Sequence, residues 1–146
     1  MIGNLLVAAA LGLSTRTHAP APVVVAEPTI AVQECDRWCG WVIEAYGAAG
    51  RGNLSDVIYS AAHGNGVPEM AAWGLATATC ESGLNPTATN GWHRGLFQHD
   101  PRYWTARAEG AGFPGADPFD PVANAFVTMH MVASGYSLSH WQCSPW

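Results

Sequence analysis

The segment between Pro68 and Gly83 constrains this 146-residue chain most. From Glu69 to Glu81 it is apolar nearly all round, through Met70, Ala71, Ala72, Trp73, Leu75, Ala76 and Ala78. Punctuation brackets it. Pro68 suits a first helical turn, where the N–H it lacks would have no partner anyway. Gly83 suits a left-handed C-cap, and Pro86 keeps the helix from resuming. A helix this apolar is expected to be buried on most sides. Other helices must then surround it.

The rest of the sequence supplies them. Cys35, Trp38, Cys39, Val42 and Tyr46 recur at i, i+3, i+4, i+7 and i+11, one face of a helix that Gly47, Gly50 and Gly52 end. Asn53 reads as the N-cap of a second helix, with Asp56 in its first turn and an apolar stripe of Leu54, Val57, Ile58, Ala61 and Ala62. Gly64 and Gly66 stop it. A last helix runs from about Pro121 to Ser134 behind the N-cap Asp120, with Val122, Ala125, Phe126, Met129 and Ala133 along one side. Residues 82–120 are rich in turn formers and have room for short helices or a small hairpin. A connection that long in a small domain usually has a function. No repeat and no second domain is evident. The fold class is mainly α, a single small domain with a long central loop. A content of 49% hydrophobic and 12% charged residues agrees with a packed core.

The N-terminus reads as an export signal. Residues 5–13 are an apolar run too short to span a bilayer, and small residues up to Ala26 follow. The expected organisation is a signal peptide or N-terminal anchor over 1–26, a linker and N-terminal helix over 27–52, and the functional domain over 53–146. No stable membrane span is expected after processing. The net charge is −5 and the chain has no lysine, which argues against nucleic acid as partner. A grip on an acidic polymer would rest on hydrogen bonds and on stacking by some of the seven Trp and four Tyr. The four cysteines, Cys35, Cys39, Cys80 and Cys143, allow three pairings, and an exported chain would oxidise them. Cys35 and Cys39 lack zinc-ligand spacing and no paired histidines answer them, so neither metal nor cofactor is expected.

Glu81 is the candidate for chemistry. Burial and the negative end of its helix would both disfavour the carboxylate and raise its pKa, as a general acid requires.

The residues around it carry a resemblance. Glu81-Ser82-Gly83-Leu84-Asn85-Pro86 followed by Gly95-Leu96-Phe97-Gln98 resembles the signature of the soluble lytic transglycosylase and goose-type lysozyme superfamily. Gly66-Val67-Pro68-Glu69 is similar to that family's entry into the same helix. Asp120-Pro121 with Asn124-Ala125-Phe126 is similar to lysozyme-like domains of actinobacteria and their phages. Cys80-Glu81 with Trp141-Gln142-Cys143 resembles resuscitation-promoting factors. The likeness covers roughly residues 53–146. The interval from Asn85 to Gly95 is shorter than usual, and Gly135-Tyr136 is only a partial counterpart of the family's late Tyr-Asn-Ala-Gly element.

The resemblance implies a lysozyme-like α fold that cleaves the β-1,4 bond between N-acetylmuramic acid and N-acetylglucosamine in peptidoglycan glycan strands. Glu81 would protonate the leaving oxygen and then deprotonate the sugar's own C6 hydroxyl, giving a 1,6-anhydro product. A hydrolytic lysozyme would need a second acid, for which Asp100, Asp117 and Asp120 are the candidates; Asp100 before Pro101 also reads as a turn residue. Gln98 would bind a sugar or orient Glu81, and Ser82 would support the carboxylate or end the helix. Phe97, Trp92, Tyr103, Trp104 and Tyr136 are candidate sugar-binding residues, whereas His93, His99 and the Met129-His130-Met131 cluster read as structural. The same resemblance implies a Cys80–Cys143 bridge, leaving Cys35 to pair with Cys39. It implies a monomer that is secreted to the cell wall or carried on a phage virion. The competing class is a non-catalytic wall-binding or virion protein on the same fold.

Overall fold

The structure is a computed structural model that describes residues 37–143. The export segment, the linker and Cys35 lie outside the described residues, and with them the expected Cys35–Cys39 pair.

The described chain is mainly helical, and its extended backbone is confined to isolated bridges. Five helices follow one another: α1 (Arg37–Gly50), α2 (Leu54–Gly64), α3 (Ala71–Ser82), α4 (Pro101–Gly110) and α5 (Pro121–Ala133). Single 3-10 turns, Pro68–Met70 and Leu138–His140, precede α3 and follow α5. None of these helices is long and apolar enough to cross a membrane.

Local chemistry sets the boundaries. Asn53 caps α2 by accepting from the Asp56 N–H at 3.2 Å. Asp120 caps α5 by accepting from the N–H groups of Val122 and Ala123. Pro68 opens a 3-10 turn rather than α3 itself, which begins at Ala71.

The centre of the core is α5, not α3. Every residue from Val122 to Met129 is buried, as is Met131. By contrast α3 buries one face, Trp73, Gly74, Thr77 and Ala78, and leaves Ala72, Ala76, Thr79 and Cys80 exposed. The expectation of burial on most sides fails because alanine is as compatible with a solvated helix face as with a packed one. Gly74 explains how closely α3 approaches α5: a Cβ there would collide with the Met129 methyl.

α1 turns a different face inward from the expected one. Trp38, Trp41, Val42, Ala45 and Ala48 pack, while Tyr46 is 47% exposed. The Tyr46 hydroxyl instead donates to Asp120 Oδ2 at 2.9 Å. Burial, then the Asp120 charge and this bond, push the phenol up to about 12. Trp38 meets Phe113 and Phe126 at centroid distances of 5.5 and 5.8 Å. α1 therefore belongs to the same packed body as the residues from 53 onward.

The central stretch is not one open loop. It contains α4, which Asp100 caps by accepting from the Arg102 N–H at 2.9 Å, with Pro101 in the first turn. Ahead of α4, antiparallel bridges pair Thr89 with Arg94 and Arg94 with His99.

Candidate functional site

A cavity of about 750 Å³ opens where the end of α3, the bridged loop, α4 and the segment after α5 meet. Glu81 lines it. Gly83 ends α3 in the left-handed region at φ 63°, donating to the Thr79 carbonyl. This puts Glu81 in the last turn. Its side chain is half-buried rather than enclosed in the core. The backbone N–H of Cys143 donates to its Oε1 at 3.2 Å. Cys143 is disulfide-bonded to Cys80, the residue before Glu81, across a Cα–Cα distance of 5.6 Å. Trp141, also on the cavity wall, anchors the same segment. Its ring meets Trp73 edge-on at 5.2 Å, and its Nε1–H donates to the Phe97 carbonyl at 3.1 Å.

The bridged loop forms the adjoining wall, and one side chain of α5 organises it. Asn124 is fully buried. Its Oδ1 accepts from the Phe97 N–H at 2.9 Å, and its amide donates to the carbonyls of Pro118, at 2.8 Å, and Arg94, at 3.3 Å. Gly95 is obligatory beside it. Its φ is +79°, and a Cβ would collide with the Asn124 amide and the Pro118 carbonyl.

The residues nominated from the sequence separate into three groups. Tyr103 and Tyr136 line the cavity and keep 53% and 45% of their surface exposed. Gln98 lines it too, but its amide donates to the carbonyls of Gly95 and Ala88 at 2.8 and 3.1 Å. It clamps the loop and leaves its oxygen as the unused polar atom. Phe97 also lines the cavity although it is fully buried, whereas Trp104 is a core residue at 5% exposure whose Nε1–H is committed to the Ala116 carbonyl at 2.7 Å. Trp92, 67% exposed, and Ser82 stand outside the cavity lining. The Ser82 hydroxyl donates back to the Ala78 carbonyl at 2.9 Å, within the last turn of α3.

Of the three candidate second acids, Asp100 lines the cavity and Asp117 and Asp120 do not. Asp117 accepts from the Phe119 N–H at 2.9 Å, and Asp120 caps α5. Asp100 is gripped by Arg102, with Nη2 donating to Oδ2 at 2.6 Å and Nε bonding both oxygens. These bonds hold its carboxyl low, at about 2.

His99, Arg107 and Asn124 received no site role from the sequence. His99 is buried and its Nε2 lies 2.9 Å from Thr128 Oγ1. Burial and the Arg107 charge push its pKa down to about 3. Arg107 lines the cavity, and its guanidinium lies 5.3 Å from the Tyr103 ring centroid. The signal available in the sequence was Asp100-Pro101, the same cap-and-proline pair as Asp120-Pro121, which starts a helix and sets Tyr103 and Arg107 one turn apart. Among the described residues no group of three His, Cys, Asp or Glu side chains could hold a metal ion.

No family model, curated protein or solved structure matches this chain.

Proposed function

We propose that this chain is an exported peptidoglycan-cleaving enzyme, a lytic transglycosylase in which Glu81 acts first as acid and then as base. The observation that carries the reading is the placement of Glu81. It is a half-buried carboxylate at a helix end, oriented by the Cys143 N–H, on a cavity of about 750 Å³ that the tyrosines Tyr103 and Tyr136 also line. A cavity of that size takes several sugar rings, and exposed aromatic faces suit the apolar faces of pyranoses.

The chemistry runs through one carboxyl. Protonated Glu81 gives its proton to the bridging oxygen as the bond from that oxygen to C1 of the muramic acid breaks, leaving oxocarbenium character on the ring. The carboxylate so formed then removes the proton from the C6 hydroxyl of the same sugar. That oxygen bonds to C1, an anhydro ring closes, and Glu81 regains its proton.

A two-carboxylate hydrolase is the second reading, because Asp100 shares the cavity. Its bonds to Arg102 count against it. A carboxylate held ionised by a bidentate guanidinium is a weakened nucleophile and base. Zymography on purified cell walls tests the enzyme reading. Wild type clears the gel and Glu81→Gln does not; clearing by neither would return the chain to the non-catalytic wall-binding class, and equal clearing by both would remove Glu81 from the mechanism. Asp100→Asn leaves a transglycosylase active and disables a two-carboxylate hydrolase.

A further inference from the structure

Arg107 is a cation held in place with no counter-ion among the described residues. α4 carries it one turn after Tyr103, on the cavity that Glu81 lines. Its guanidinium lies 5.3 Å from the Tyr103 ring centroid, and its Nη1 donates to His99 Nδ1 at 3.4 Å. Arginine has only donors, so Nδ1 must accept and the His99 proton sits on Nε2. That Nε2–H donates to Thr128 Oγ1, whose hydroxyl donates to the Asn124 carbonyl at 3.0 Å. A buried chain reaching into α5 thus fixes the direction from which His99 receives Arg107. The partner is neutral, so the charge is oriented but not balanced. Arg102 is the contrast. It also approaches the Tyr103 ring, at 5.6 Å, but its charge is spent on Asp100, and that is the single ion pair among the described residues.

Four of the six histidines, His93, His99, His130 and His140, line the cavity with Arg107 and are further hydrogen-bonding groups on its wall.

From this geometry we infer that Arg107 is the anion-binding residue of the site and takes a carboxylate of the glycan strand. The inference rests on the peptidoglycan reading above and names its selectivity. An oriented guanidinium matches the two oxygens of a carboxylate. On muramic acid the carboxylate has two sources: the lactyl group of peptide-free strands, or the stem peptide where one is attached. A plain N-acetylglucosamine oligomer has neither.

Binding to a Glu81→Gln background, measured by titration calorimetry, tests this without turnover. The probes are peptide-free strands, peptide-bearing strands, the same strands with carboxylates converted to amides, and a chitin hexasaccharide. The strands bearing carboxylates should bind more tightly than the amidated strands and the hexasaccharide. Adding Arg107→Gln should weaken the former by about tenfold and leave the latter unchanged, the loss of one charge-assisted hydrogen-bonded pair. Arg107→Lys should fall between. Loss on peptide-free strands identifies the lactyl group; loss on peptide-bearing strands alone identifies the stem peptide. Amidating the ligand reaches the same answer with Arg107 intact, so the test survives a variant that folds poorly. Equal binding of native and amidated strands, or an Arg107→Gln effect of the same size on the hexasaccharide, overturns the inference. Selective binding in a wild-type protein that cleaves nothing would keep Arg107 in its role and remove the enzyme reading. Cleavage with no carboxylate preference would do the reverse.

Discussion

The backbone N–H of Cys143 reaches Glu81 Oε1 at 3.2 Å across 62 residues of sequence. A main-chain donor cannot be replaced by a rotamer of another side chain, so the orientation of Glu81 depends on where the C-terminal segment is held. The Cys80–Cys143 disulfide and the Trp141 ring hold it.

Reduction, or Cys143→Ser, should therefore lower turnover more than it raises KM. It should also cost about 4 kcal/mol in urea denaturation, the chain-entropy value for a bridge spanning 63 residues. Unchanged kinetics in the reduced protein would show that the bond to Glu81 does not need the bridge.

Asn124→Ala should destabilise by about 3 kcal/mol or more. It leaves the Phe97 N–H and the carbonyls of Arg94 and Pro118 without their buried partner. Because the affected loop walls the cavity, activity should fall even at temperatures where the variant is fully folded. Denaturant melts and zymography on the same sample separate the two effects.

Gly95→Ala and Gly91→Ala form a controlled pair. Both glycines have positive φ, +79° and +95°, but a Cβ at Gly91 meets nothing within 4 Å and one at Gly95 meets Asn124 and Pro118. Gly91→Ala should cost about 1 kcal/mol for its backbone alone. Gly95→Ala should cost at least twice as much or fail to fold, as read by thermal melts.

His99 should give the fold a pH dependence. Its pKa is depressed to about 3 in the folded chain against 6.5 for the ordinary side chain. The unfolded chain then binds the extra proton, so the contribution is complete above about pH 6.5 and is lost progressively as pH falls toward 3. Between these limits the slope from His99 alone approaches ~1.4 kcal/mol per pH unit. Urea melts from pH 7 to pH 4 on wild type and His99→Gln should diverge with that sign. Parallel lines would mean that His99 is not held neutral.

Much of the helical frame was legible because it rests on local rules. The Asn53 and Asp120 caps, Gly83 as terminator and the stripe of α2 all follow from single side chains and short spacings. What was missed is tertiary. The apolar run of α3 suggested the central helix, yet small residues do not say which face is solvated, and the buried centre is α5. α4 was lost among turn formers because its mostly polar, charged sequence shows no apolar period, although Asp100-Pro101 announced it. The site divided in the same way. Glu81, Tyr103 and Tyr136 could be nominated from type and place. The burial of Phe97 and Trp104 was not legible, because an aromatic in a loop reads alike whether it packs inward or faces a ligand. Asn124, His99 and Arg107 take their roles from partners far away in sequence or on a helix that was not recognised, and no local pattern carries that.

The most direct test of the central claim is mass spectrometry of the fragments released from purified peptidoglycan by wild type and by Glu81→Gln. Muropeptides ending in 1,6-anhydro-muramic acid, lighter by one water than their reducing counterparts and lacking in the Glu81→Gln digest, are the expected result. Fragments with reducing ends would contradict the transglycosylase mechanism, and identical digests from the two proteins would contradict the role of Glu81 itself.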